Sequence, residues 1–175
     1  MSLSGCFSKS DNPVTESGNA SFINLKELVN ADIQQLASRN CNATKKGVVN
    51  GDTAISVVSD VQWKKELQAI ADADINKKSW IPHFRSTILN IQDDTVQMTI
   101  QTTKEDIPVR LINVWMLDEK ILKVYIEKQS SNLFFSSEQK ITYQPGRSYH
   151  ISGSQKALFL SRKEFEITSE FNCKE

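Results

Sequence analysis

Apolar positions along this chain recur every three or four residues up to about residue 76, and every second residue from about 85 onward. In the first part, Leu25, Leu28, Val29, Ile33, Leu36 and Ala37 share one face of a helical repeat. Lys26, Glu27, Asn30, Gln34 and Gln35 fill the other face, which predicts a helix over 24–39. Asn40, Cys41 and Asn42 end it. Gly47, Val48, Val49, Asn50 and Gly51 then read as a short extended excursion or hairpin. A second helix is expected to start at Ser59, with Gln62 three residues on to complete a capping box. Trp63, Leu67, Ile70 and Ala71 would form its apolar face, and the helix would fray near 74–76, with Asn76 stopping it in a left-handed conformation. Pro82 forbids continuation, because it lacks an amide hydrogen and restricts Ile81 to extended backbone.

In the second part, Thr87, Leu89 and Ile91 alternate with Ile88 and Asn90, Gln92-Asp93-Asp94 turns the chain, and Val96, Met98 and Ile100 alternate on the return. A mostly apolar strand over 109–117 turns through Asp118 and Glu119 into another over 121–128. Shorter strands are expected near 133–135, 139–143, 149–151, 157–160 and 165–171. Strand after strand with tight turns and no helix between them means an antiparallel meander. The fold class expected is α+β, with two N-terminal helices packed on a meander of about six to nine strands. Residues 22–175 would form a single globular domain, preceded by a polar tether over 1–21 that has little to bury.

That tether begins with Leu3, Ser4, Gly5 and Cys6, the four-residue ending of a bacterial lipoprotein signal. In such proteins a diacylglyceryl group is attached to the cysteine thiol and the chain is cut just before it. Acyl chains contribute about 0.8 kcal/mol per buried methylene, which is ample for stable anchoring. Cys6 is therefore the expected lipidation site. It leaves Cys41 and Cys173 as an even pair, expected to form a disulfide in an oxidising compartment. The formal charge is balanced, 21 basic against 21 acidic residues, so nucleic acid is not an expected partner. No apolar run approaches the roughly 20 residues needed to span a bilayer as a helix, so the expected membrane contact is through the lipid.

Trp63-Lys64-Lys65-Glu66-Leu67, followed by Ala71 to Lys78 and Trp80, resembles a stretch found in small lipoproteins of the Bacteroidetes. There a W-x-K-E-L helix runs into A-D-I-N-K and a tryptophan, before a β-rich half. Ile141-Thr142-Tyr143, Ser148 to Ile151, Gln155-Lys156 and Phe165-Glu166-Ile167 are similar as well. The resemblance implies the compartment and the fold, and carries no functional residues onto this chain. Phe7, in place of an aspartate after Cys6, implies by likeness to well-studied lipoproteins placement in the outer membrane, and the lack of a clear acidic export signal after the cysteine favours the periplasmic side over the cell surface. Trp63 and Trp80 are large enough to seal the helices onto the sheet, whereas Asp72, Asp74 and the lysines offer an alternative reading as a recognition patch.

Catalytic chemistry finds little support. His83 and His150 stand far apart in sequence without a partner at metal-ligand spacing, so no metal or other cofactor is expected. Ser137-Glu138-Gln139-Lys140 matches S-x-x-K, but in a β-like run rather than at the helix start that chemistry requires. The expectation is a non-enzyme. Two readings follow. One is an envelope binding module whose candidate face includes Trp115, Tyr125, Phe134, Phe135 and Tyr143. The other is a lipocalin-like carrier enclosing a small apolar ligand. A carrier requires a buried cavity, and a binding module requires a filled core with an exposed apolar patch.

Overall fold

The computed structural model describes residues 14–16, 22–90 and 94–174. In chain order it contains β1 (Val14–Glu16), α1 (Leu25–Ser38), β2 (Asn42–Val49), β3 (Asp52–Val58), α2 (Trp63–Glu66), α3 (Gln68–Ala71) and a 3-10 turn (Ile81–His83). The meander follows as β4 (Arg85–Asn90), β5 (Thr95–Gln101), β6 (Val109–Leu117), β7 (Lys120–Ser131), β8 (Phe135–Gln144), β9 (Ser148–Ala157) and β10 (Lys163–Asn172). All pairings are antiparallel, in one ten-stranded sheet ordered β1-β4-β5-β6-β7-β8-β9-β10-β2-β3. The molecule is predominantly β with a few helices, an α+β arrangement at the coarse level.

The helices differ from the expectation in number and place. α1 forms where its periodicity puts it. Asn24 caps it by accepting the Glu27 N–H at 3.1 Å, and Asn40, at φ 49°, turns the chain out of it. The β2–β3 hairpin then intervenes before the next helical residues, so the helices are not consecutive. Pairing of Val58 with Ala43 keeps the chain extended to the doorstep of Ser59, which therefore does not cap a helix. The helix starts at Trp63 and breaks at Leu67 into two single turns. Val14–Glu16, placed in the tether by composition, pairs instead with the otherwise free edge of β4. The short strands expected at 133–135 and 157–160 are mostly not strands: their apolar runs sit at hairpin ends.

One face of the sheet is a core. Cross-strand register lines up Ile100, Ile112, Ile126, Ile141, Ile151 and Ile167 on six successive strands, β5 to β10. The first four are fully buried. Each β-branched side chain buried in this way contributes about 1.5–3 kcal/mol over leaving it in water. A parallel row runs through Val114, Val124, Tyr143, Tyr149 and Ser169 to Lys45. Leu25, Val29 and Leu36 of α1, with Trp63 of α2, Ile70 of α3 and Leu67 between them, join these rows in the same buried cluster. The Trp63 ring meets Phe171 edge-on at 5.0 Å between centroids. Trp80 is only half-buried, with Lys77 Nζ 3.7 Å above its ring.

A disulfide joins Cys41 to Cys173, at the end of the ladder where Asn42 pairs with Asn172. It fastens β10, the last strand, to β2, near the first. The opposite face of the sheet is polar across its middle row: Thr99 donates to Asn113 at 2.8 Å, and His150 lies 3.1 Å from Thr168. Such one-sided burial is the usual state of an antiparallel sheet.

Candidate functional site

Two carboxylates, buried Asp32 and partly buried Glu66, hold the helices on the sheet. Asp32 of α1 accepts hydrogen bonds from the Tyr143 hydroxyl and, at 2.9 Å, from the Gly146 N–H. Glu66 of α2 accepts from the Tyr149 hydroxyl at 2.7 Å and pairs with Lys45 of β2, also at 2.7 Å. Burial, and then the carboxylate partner, push both tyrosines well above their ordinary value. Asp74 is equally structural. Its side chain accepts from the N–H of Asn76 at 2.9 Å, and the Asn76 amide donates to Ile23 O at 2.9 Å, tying the end of α3 to the entry of α1. Asn76 thus acts as a clamp and does not adopt the left-handed stop. Asp74, being buried, belongs to the framework rather than to a recognition patch.

The five aromatics proposed from sequence fall into three groups. Tyr143 is fully buried in the core row and is not available as a surface contact. Its alternation with Thr142 placed it on one face of the strand, but nothing in the sequence said which face carried the helices. Trp115 and Tyr125 stand on the polar face. Lys123 Nζ lies 3.8 Å over the Trp115 ring, and the Tyr125 hydroxyl donates to Glu127 at 2.7 Å. Burial and Glu127 push the Tyr125 hydroxyl up to about 12. Phe134 and Phe135 stand at the end of the β7–β8 hairpin, 64% and 37% exposed.

That end is where exposed apolar surface gathers. Leu133 is 80% exposed, and across the neighbouring β9–β10 hairpin Leu158, Phe159 and Leu160 are exposed too. The two hairpins are adjacent: Phe135 pairs with Ala157, and the Leu158 N–H donates to Phe134 O at 2.8 Å. Phe159 is 96% exposed and holds φ at 66°, a conformation that costs an L-residue about 1–2 kcal/mol. Leu133, Leu158, Phe159 and Leu160 were not singled out from the sequence. The available signal was three apolar residues in a row beside Asn132 and Ser161, where a half-buried strand would alternate.

Other chemistry is dispersed. Ser137 and Lys140 are three apart on β8, so they point to opposite faces and do not meet. His83 Nε2 lies 3.1 Å from Lys104 Nζ at an open cleft of about 880 Å³ that also holds Arg85 and Arg110. Most of its cationic donors are engaged, the buried Arg110 Nε being without a partner. Arg110 donates to the carbonyls of Lys104 and Glu105, and Lys104 sits 3.6 Å from Asp106. A second open cleft, of about 410 Å³, lies on the polar face between Glu138, Lys140, Arg162 and Glu164. Among the described residues, no group of three or more His, Cys, Asp or Glu could hold a metal ion, and no helix is long and apolar enough to cross a membrane. Cys6 lies outside the described residues. Comparison with known proteins finds no matching family model, no matching curated protein and no matching solved structure.

Proposed function

We propose that the protein is a non-catalytic cell-envelope binding module that engages its target through the apolar end of the β7–β8 and β9–β10 hairpins. In this reading a lipid on Cys6 anchors it to the outer membrane, facing the periplasm. The anchor rests on Leu3-Ser4-Gly5-Cys6, on Phe7 and on the resemblance to Bacteroidetes lipoproteins.

One observation carries the binding reading: Phe159 is almost wholly exposed on a backbone conformation that disfavours it. Folding gains no burial there to offset the strain, and strain kept without a packing return is characteristic of functional surfaces. The carrier reading has less support. The face that would enclose a ligand is covered by α1, α2 and α3, and the isoleucine row fills the space beneath them.

Phe159→Gly separates function from stability. In urea unfolding the variant is expected to match the parent or exceed it by up to about 1 kcal/mol, because glycine accepts positive φ freely. Pelleting with washed native envelopes, measured in a Cys6→Ser background that removes the lipid, should fall at least tenfold. Undiminished pelleting would contradict the proposal.

A further inference from the structure

We propose that the hairpin end inserts into an anionic lipid surface, with Leu133, Phe134, Phe159 and Leu160 in the apolar layer and Lys156, Arg162 and Lys163 at the headgroups. This rests on the reading of the hairpin end as the binding surface, and not on the lipid at Cys6.

Three observations favour lipid over a protein partner. First, the apolar side chains project from two hairpin ends and do not line the clefts described above. Projecting side chains on a convex end suit a medium that deforms around them.

Second, part of the backbone at this end is paired with itself, the N–H groups of Leu133 and Phe159 being the exceptions. Asn132 Oδ1 accepts from the N–H groups of Phe134 and Phe135, both at 2.9 Å, and the Asn132 N–H donates to Phe135 O at 2.8 Å. Leu158 N–H reaches Phe134 O at 2.8 Å, and Leu160 N–H reaches Ala157 O at 3.1 Å. In contact with water these donors need no such provision. In a medium that offers no hydrogen bonds each would carry a heavy desolvation penalty if left unpaired.

Third, the charges nearest the two hairpin tips are basic. Residues 131–137 and 155–163 contain Lys156, Arg162 and Lys163 and no acidic residue. The nearest carboxylates follow directly: Glu164 adjoins Lys163, and Glu138 pairs with Arg162 at 3.2 Å, which leaves Lys156 and Lys163 as the cations offered toward the tips. Such a collar complements anionic headgroups, which attract basic residues near the surface. It also disfavours a second copy of the chain meeting end to end, because the same cations would face one another across the two-fold axis.

The test is flotation of the full chain, carrying Cys6→Ser, with vesicles of phosphatidylethanolamine and phosphatidylglycerol, set against neutral phosphatidylcholine vesicles. The parent should float with the anionic vesicles. Leu133→Ser/Phe159→Ser should lower the partition coefficient more than tenfold, since each side chain loses the transfer of a large apolar group. Lys156→Gln/Lys163→Gln should narrow the preference for anionic over neutral vesicles. A Phe159→Trp reporter should shift its emission to the blue and be quenched by brominated acyl chains. All these positions are exposed, and an unchanged urea midpoint confirms that each variant folds.

Failure to float with either vesicle would overturn lipid insertion. If envelope pelleting still depended on Phe159, the target would be a protein and the binding surface would stand. If pelleting were also indifferent to Phe159, both readings would fall. A concentration-dependent dimer abolished by Leu133→Ser/Phe159→Ser would overturn insertion in favour of self-association.

Discussion

Removing the Cys41–Cys173 bridge as Cys41→Ala/Cys173→Ala is expected to lower the unfolding free energy by about 5 kcal/mol, from the chain-entropy relation for a sequence separation of 132. Domains of this kind are stable by only about 5–15 kcal/mol, so the loss would be a large fraction of the total. Topology makes the site sensitive. Among the described residues, β2 and β3 reach the rest of the sheet only through the pairing of β2 with β10, and that pairing joins strands far apart in the chain. Without the bridge, the entropy of closing that long loop falls on the eight β2–β10 backbone pairs and on the contacts that tie α1 and α2 to the sheet. Urea unfolding of the oxidised parent and the double variant measures the difference. An unchanged midpoint would mean that the bridge constrains nothing in the unfolded chain.

Asp32→Ala is expected to cost about 3 kcal/mol, because it strands the Tyr143 hydroxyl inside the core and removes the acceptor of the Gly146 N–H. Hydrogen bonds to a charged acceptor are worth about 1.5–3 kcal/mol each, and a buried donor left unpaired carries its whole desolvation penalty. The same site sets the alkaline limit of stability. Tyr143 ionises in the unfolded chain near the ordinary tyrosine value of 10.0, but burial and then Asp32 raise that value in the folded protein. Its contribution is therefore fully present below pH 10.0 and is lost as the pH rises toward the folded value. Tyr125 and Tyr149 are raised too, so all 3 tyrosines of the chain act in the same direction. Unfolding free energy should decline above pH 10, and tyrosinate absorbance should lag in folded protein relative to urea-unfolded protein. Asp32→Ala should reduce the lag without abolishing it, since burial is the larger cause. A tyrosinate titration identical in folded and unfolded protein would refute the clamp.

Some of this molecule is legible in its residues. The alternation of Val96, Met98 and Ile100, and of Leu122, Val124 and Ile126, marks strands because a half-buried sheet writes its two faces into successive positions. The face of α1 is equally plain, and Asn40 ends it where expected. Two cysteines left over after Cys6 pointed to the bridge. Register is different: the alignment of six isoleucines across β5 to β10 depends on turn lengths and on a bulge between Trp115 and Met116, which alternation alone does not encode. The β2–β3 hairpin was left open because Gly47 and a run of lysines dilute its pattern. Ser59 has the right partner in Gln62, yet the extended strand before it removes the helix it would cap.

The proposed binding surface was the hardest part to read, for a physical reason. Leu133-Phe134-Phe135 and Leu158-Phe159-Leu160 look like buried strand, since propensity does not distinguish apolar residues that pack from apolar residues that project. Only the pairing of Phe135 with Ala157 shows that both runs reach the same end of the sheet. Tyr143 and Phe134, equally aromatic in the sequence, separate into core and surface once the helices are placed.

The most direct test of the account is site-resolved photocrosslinking in intact cells, with a benzophenone side chain placed at 159 at the hairpin end or at 115 on the polar face. Binding through the hairpin end predicts adducts, with lipid or protein, from position 159 and at most a trace from position 115. Adducts from 115 with none from 159 would show that the protein works through its polar sheet face, and would contradict it.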